Sequence, residues 1–250
     1  MIIAIIQARM GSNRFPGKVM ENVAGIPLLA HVVRRAKKIV PVDKVVVATS
    51  VLSTDDPIVR WCDDNDTCYF RGSENDVLDR YFQTAFEFHA DTIVRITADC
   101  PLLDPAISSQ VLQHFEKTNN DYVSNTLQRT FPDGLDTEVF SFFSLKLAWK
   151  SATRLLEREH VTPYIINNPD RFNLYGIQCE KNLSHHRWTV DHPEDLTLVS
   201  RILDCADTLD ISFREILNII ERYPELAKLN SHFETNEGYG KSLAIESKEL

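Results

Sequence analysis

Residues 2–18 read IIAIIQARMGSNRFPGK. The run Ile2–Ile6 is apolar at every position, which suits a strand covered on both faces rather than one with a wet side. From Gln7 the character changes. The next twelve residues hold Arg9, Arg14 and Lys18, with Gly11 and Gly17 between them and no acidic residue. Glycines let backbone N–H groups approach an anion closely, arginine offers a planar fork and lysine a point charge. A cationic loop directly after a buried strand is where open parallel sheets place their ligands, outside the carboxyl ends of the strands. The spacing excludes two common phosphate loops. Five residues separate Gly11 from Gly17 and Val19 follows Lys18, so this is not G-x-x-x-x-G-K-[ST], and G-x-G-x-x-G is absent as well.

The same alternation continues outward. Apolar runs at Lys44–Ala48, Cys68–Phe70 and Thr92–Ile96 are separated by helical patterns at Leu28–Ile39, Asp56–Asp64 and Asn75–His89, with Pro105–Lys117 after the fourth strand. Strands and helices in this order predict right-handed βαβ units and a mostly parallel, doubly wound α/β sheet. Beyond residue 120 the alternation fades. Helical stretches are expected near Phe142–Arg154, Glu157–Asn167, Glu194–Leu203 and Ser212–Arg222, with a short strand at Arg187–Val190 and a turn at Pro132–Gly134. The division is a single domain over 1–232: a nucleotide-binding half (1–120), a small lobe (121–186) and a return to the core (187–232). A polar tail (233–250) is expected to be loosely packed.

The 250 residues carry a formal net charge of −9, which argues against nucleic acid or an anionic membrane as a partner and leaves anion binding to a local site. Five scattered cysteines without C-x-x-C spacing argue against a disulfide framework or a zinc site and point to a reducing cytoplasm. No run approaches membrane-spanning length.

The expected strand ends collect a distinctive set: the cationic loop, Thr49-Ser50, Arg71-Gly72-Ser73, Thr97-Ala98-Asp99 and, from the late strand, Asp191. Three cations, short hydroxyl pairs and two isolated aspartates suit a nucleoside triphosphate held with Mg²⁺, since two carboxylates from distant points in the chain can share a hard cation that bridges phosphates. Asp99 and Asp191 each precede a helix and also fit the role of N-terminal cap, as do Asp55 and Asp56. The adjacent His185 and His186, on a strand, would point to opposite faces. Cys100 reads as a packing residue.

Taken together, the motifs resemble a known family. QARMGSNRFPGKVM (7–20) is similar to the N-terminal motif of nucleotidyltransferases that activate acidic sugars with CTP, and most of all to the cytidylyltransferase family named for the spore coat polysaccharide biosynthesis protein F. VVVATS, FRGSENDVLDRY, VRITADCPLLDP, DYVSNT, FPDGLDTEVFS, EREHVTPYI and HRWTVDHPEDL match in order, from residue 2 to about residue 205. The resemblance implies a nucleotide-diphospho-sugar transferase-like, Rossmann-like fold with a small acceptor and dimerisation lobe, a homodimer, and transfer of CMP from CTP to a sugar with release of pyrophosphate. It places Arg9, Lys18 and Arg14 on the triphosphate, and Gln7, Ala8, Met10, Gly11, Ser12, Thr49, Ser50, Arg71, Gly72 and Ser73 around the nucleotide. Asp99 and Asp191 fall to Mg²⁺. Asn125, Asp136, Glu138, Arg158, Glu159 and His160 are the polar residues expected on the acceptor side. A glycosyltransferase consuming a nucleotide sugar is the competing enzyme reading, disfavoured because Asp99-Cys100-Pro101 lacks a D-x-D acid pair. A non-catalytic nucleotide-binding protein is the other, disfavoured because Lys18 and both aspartates are present.

Overall fold

The apolar run that opens the chain becomes β1 (Ile2–Gln7), near the middle of a seven-stranded sheet. The computed structural model describes residues 1–235 and 237–249. Successive side chains of a strand point to opposite faces. Ile3 and Ile5 therefore join Val46, Ala48 and Ile93 in one core, while Ala4 and Ile6 join Val45, Val47, Val94 and Ile96 in the other.

After β1 come a two-stranded ribbon, β2 (Asn22–Val23) and β3 (Ile26–Pro27), then α1 (Leu28–Ala36), β4 (Lys44–Ser50), α2 (Asp56–Asp64), β5 (Cys68–Gly72), α3 (Val77–Glu87), β6 (Thr92–Thr97) and α4 (Pro105–Lys117). The second half adds β7 (Tyr122–Ser124), β8 (Glu138–Ser141), α5 (Phe142–Ser151), α6 (Leu155–His160), α7 (Pro163–Ile166), β9 (Leu174–Gly176), α8 (Pro193–Asp204), α9 (Phe213–Arg222) and α10 (Glu237–Glu249). The large sheet has the order β5-β4-β1-β6-β8-β7-β9. β5, β4, β1 and β6 are mutually parallel, β8 runs antiparallel to both of its neighbours, and β9 is parallel to β7. The chain steps outward from β1 to β4 to β5, then returns to β6 on the other side of β1. That reversal opens a crevice at the carboxyl ends of β1 and β6, where ligands of doubly wound sheets bind. Gln7 pairs with both Ala48 and Thr97, so β1 and β6 finish level, and β4 runs two residues farther, to Ser50.

The four parallel strands and their helices form as the sequence predicts, while the second half adds three short strands it does not predict, β7, β8 and β9, and departs from it further. Arg187–Val190 is not a strand. It makes one bridge, Arg187 to Asp133, and is otherwise held by Trp188 and Thr189 N–H donating to the Asp133 carbonyl and Val190 N–H donating to that of Asp99. His185 and His186 consequently do not diverge: their rings lie 4.1 Å apart, and both line a cavity of about 430 Å³ with Trp188 and Ile220. The single helix expected over Glu157–Asn167 is two, α6 and α7. It breaks at Val161, whose φ of +73° is strained for a β-branched residue. The tail, expected to pack loosely, contains α10 lying against α6, with Arg154 paired to Glu246; Asn236 and Leu250, also in that tail, lie outside the described residues.

Among the described residues no helix is long and apolar enough to cross a membrane. All five cysteines are free.

Candidate active site

The loop after β1 is closed on itself. The Met10 carbonyl accepts from Ser12 N–H and Gly17 N–H, both at 2.9 Å, and Gly17 takes a φ of +76°, a conformation that favours glycine. Met10 N–H donates to Asp55 Oδ1 at 2.7 Å. Asp55 is buried and also accepts from Ser50 N–H and its hydroxyl. Asp55 stands at the N-cap position of α2 but makes no capping bond; it pins the cationic loop to the end of β4 instead.

Gly17 turns the chain so that Lys18 points back beneath the loop. Its Nζ donates to Asp99 Oδ2 at 2.9 Å, Asp191 Oδ1 at 2.7 Å and the Val190 carbonyl at 2.8 Å. Three acceptors satisfy the three protons of an ammonium. Burial pulls the Lys18 pKa down, but the two carboxylates outweigh it and raise the value. Burial pushes Asp191 up, and Lys18 and Arg14 more than reverse that, holding its carboxyl far below the usual carboxylate range. Arg14 meets Asp191 Oδ1 at 2.6 Å and Glu237 of α10 at 3.8 Å.

Neither aspartate caps a helix. Asp104 caps α4 by accepting from Ala106 and Ile107 N–H. Asp195 reaches back from α8 to accept from Asp191 and His192 N–H, both at 2.9 Å. The capping requirement that the sequence placed on Asp99 and Asp191 is met by neighbours, leaving both carboxylates for the crevice. Arg187, buried, holds the second oxygen of Asp191 at 3.1 Å while its Nε donates to Asp195 at 3.0 Å.

A cytidylyltransferase family model matches residues 3–237. The chain belongs to the cytidylyltransferase family. The cytidylyltransferase is 31% identical over 236 residues to the spore coat polysaccharide biosynthesis protein SpsF of Bacillus subtilis (strain 168), covering 90% of this chain and 96% of the relative. It is similar to a cytidylyltransferase of known structure from Leptospira borgpetersenii serovar Hardjo-bovis, with a TM-score of 0.88, 29% identity and coverage of 94% and 99% of the two chains. It also shares its fold with a CMP:2-keto-3-deoxy-manno-octonic acid synthetase solved in complex with CTP, at a TM-score of 0.63 and 16% identity, over 81% of this chain and 98% of that one.

Within the cytidylyltransferase, the remaining expected nucleotide contacts gather on the same crevice rim. Arg9, half-buried, makes no ion pair or hydrogen bond among the described residues, and its charge reaches both Arg80 and His160. Thr49 Oγ1 is buried with no hydrogen-bond partner among the described residues. Arg71 braces the rim: it donates to the Ser50 and Leu52 carbonyls and pairs with Asp56 at 2.8 Å. Gln7 accepts from Arg95 at 3.1 Å. Arg80 was not singled out by the sequence. It is buried, donates to the Ser73 carbonyl at 2.6 Å and packs its stem against Gly72, where a Cβ would lie 3.0 Å from Arg80 Cγ. Across the loop, a Cβ on Gly11 would meet Glu74 Oε1 at 3.4 Å, so the loops after β1 and β5 face one another.

The expected acceptor residues fall into two groups. Asn125, Glu138 and Arg158 are engaged within the fold. Asn125 clips the 125–137 loop through the Leu135 carbonyl and Thr137 N–H, and Arg158 is bonded to Asp76 and the Trp149 carbonyl. Glu138 is enclosed by Arg95, the Tyr122 hydroxyl at 2.6 Å and the Thr162 hydroxyl at 2.7 Å. Glu159 and His160 instead meet α10, through Ser242 at 2.8 and 3.1 Å and the edge of Tyr239. Burial lowers the His160 pKa, favouring a neutral ring. Asp136 is paired bidentately with Arg129. Asp133 beside it is pushed up to about 7, by burial first and by Asp136 second. Cys100 packs as expected, its thiol raised well above the ordinary value by burial and by Asp99.

Glu138 makes a test of stability. Burial opposes its ionisation, but Arg95 and the two hydroxyls win and lower its pKa. A carboxyl lowered in the folded state contributes stability above its unfolded value of about 4.3, and that contribution is lost as pH falls through the folded value. Glu138→Gln, which leaves the half-buried Arg95 without its acid, is expected to cost about 3 kcal/mol at pH 7. Thermal melting should show the gap from the unsubstituted protein closing below about pH 4.

Proposed function

We propose that this cytidylyltransferase transfers CMP from CTP to a hydroxyl of an acidic sugar, releasing pyrophosphate, with Mg²⁺ held by Asp99 and Asp191. One observation carries the reading: two carboxylates from residues far apart in sequence close on a single cationic atom, Lys18 Nζ, at the crevice where β1 and β6 part. Carboxylates that both reach one ammonium are spaced to share a cation, and Mg²⁺ is commonly bound by one or two carboxylates together with substrate phosphates. The donor set therefore fits the ion.

Bound there, Mg²⁺ supplies charge neutralisation and Lewis-acid polarisation at the phosphate under attack. The chain does the positioning. Arg9, with no ion pair or hydrogen bond among the described residues, offers its guanidinium to the triphosphate. Arg14 and Lys18 stand across the same loop. As the acceptor oxygen bonds to the α-phosphorus, the α–β bridging bond breaks and negative charge gathers on the departing pyrophosphate, which the cations of this loop would neutralise. His160 and Glu159 stand on the acceptor side, beneath α10. The sequence motifs shared with nucleotidyltransferases that activate acidic sugars with CTP support the base and the acceptor class.

Pyrophosphate release measured with each of CTP, UTP, GTP and ATP, over a panel of acidic sugars, tests the reading. Mg²⁺-dependent release is expected with CTP and at least one acidic sugar. Its absence in every combination overturns the proposal.

A further inference from the structure

The three bonds of Lys18 to Asp99, Asp191 and the Val190 carbonyl leave its ammonium no proton for a phosphate oxygen, and the residue is only 7% exposed. The same two carboxylates are the ones assigned to the divalent cation. An ammonium and a metal ion cannot both be seated between them.

Resting on the metal and triphosphate assignment above, we infer that Lys18 is a resident counter-ion of the Asp99–Asp191 pair, drawn off by an incoming triphosphate, so that metal and nucleotide enter together and neither binds well alone. The surrounding charges favour this exchange. Asp191 faces three cations: Lys18 at 2.7 Å, Arg14 at 2.6 Å and Arg187 at 3.1 Å. Arg187 is anchored elsewhere, to Asp195, Asp133 and the Glu234 carbonyl, and stays. Lys18 and Arg14 belong to the phosphate loop and can change partners. A metal ion arriving alone meets carboxylates already neutralised and adds positive charge beside three held cations. A triphosphate brings acceptors for Lys18 and Arg14 at the moment the carboxylates are needed. The move is local, because Gly17 N–H remains bonded to the Met10 carbonyl and the four-carbon stem of Lys18 rotates about its own bonds. Coupling between two ligands is reciprocal, so CTP should tighten metal binding by the same factor that metal tightens CTP binding.

Mn²⁺ titrations followed by electron paramagnetic resonance, on the full chain with and without CTP and without acceptor, test this. The unsubstituted protein is expected to bind Mn²⁺ weakly alone and about ten- to a hundredfold more tightly with CTP. Lys18→Met and Lys18→Gln are expected to bind Mn²⁺ alone about tenfold more tightly than the unsubstituted protein, and to lose most of the CTP enhancement. A merely structural lysine predicts the opposite sign, since its loss would loosen the site. Melting curves of both variants establish that they fold. If both bind Mn²⁺ alone no better than the parent, while CTP still tightens the parent, the counter-ion role is overturned and the function stands. If Asp99→Asn and Asp191→Asn bind Mn²⁺ with CTP as tightly as the parent, the metal assignment itself is overturned, and this inference with it.

Discussion

Gly134→Ala is expected to lower the melting temperature by about 10 °C or more and to take the activity with it. Gly134 has a φ of +107°, and a Cβ built there would stand 2.5 Å from Thr189 N and 2.6 Å from Trp188 C. Those neighbours are backbone, so no side-chain rotation relieves the clash. Left-handed strain adds to overpacking, for a total of about 3–5 kcal/mol. The affected strip also sets the site. Asp133 accepts from Trp188 and Thr189 N–H, Val190 N–H reaches the Asp99 carbonyl, and Asp191 follows directly. A methyl at 134 pushes that strip away and carries Asp191 from Asp99. Gly25 supplies the control: its φ is +86°, but nothing lies within 4 Å of a Cβ there. Gly25→Ala should cost only the backbone term, about 1–2 kcal/mol, and leave the rate of the folded enzyme unchanged. Equal melting temperatures for the two variants would show that the close approach at Gly134 does not limit stability.

Strands buried on both faces announce themselves, which is why β1, β4 and β6 were legible as apolar runs; β5, at the sheet edge, was legible as a shorter one. β7, β8 and β9 were not, because each has only three or four residues and because β8 begins with Glu138, a carboxylate that reads as exposed until Arg95, Tyr122 and Thr162 are seen around it. The site was legible where its chemistry is local, as in the cationic loop. It was half-legible at Asp99 and Asp191, whose positions before helices are equally those of caps. Only the fold shows that Asp104 and Asp195 do the capping. Arg187 and Arg80 were invisible to sequence spacing and Asp55 was legible only as a cap, since each acts through residues brought near by tertiary structure. The signal available for Arg80 was its recurrence at helical spacing on the buried face of α3, next to Tyr81 and Thr84; an arginine there requires a polar partner. For the tail, polar composition masked a helix that meets α6 through the Arg154–Glu246 ion pair and the Ser242 hydroxyl bonds.

The two aspartates should separate stability from rate. Asp99→Ala and Asp191→Ala are each expected to reduce the rate of pyrophosphate release by about 10²–10³, the usual cost of losing one group that stabilises transition-state charge. Their effects on folding should differ. Asp99 has one cationic partner, Lys18, and its side chain is 27% exposed. Its loss leaves Lys18 still bonded to Asp191 and Val190, so melting should move little. Asp191 is 15% exposed and faces Lys18, Arg14 and Arg187 at once. Removing it strips a shared counter-charge from three cations, each of which keeps a second acid: Asp99, Glu237 and Asp195 respectively. The cost should therefore fall below that of a buried pair broken outright, at about 2 kcal/mol, or several degrees of melting temperature. pH gives a further sign. Because Asp191 is held low in the folded state, its contribution is present above its unfolded value of about 3.9 and disappears as pH falls through the folded value. The stability gap between Asp191→Ala and the unsubstituted protein should therefore be full at pH 7 and close only in strong acid, while the rate deficit of both variants is measured at neutral pH, where both proteins are folded. An Asp99→Ala enzyme that turns over at the parent rate would remove Asp99 from the chemistry, however closely it contacts Lys18.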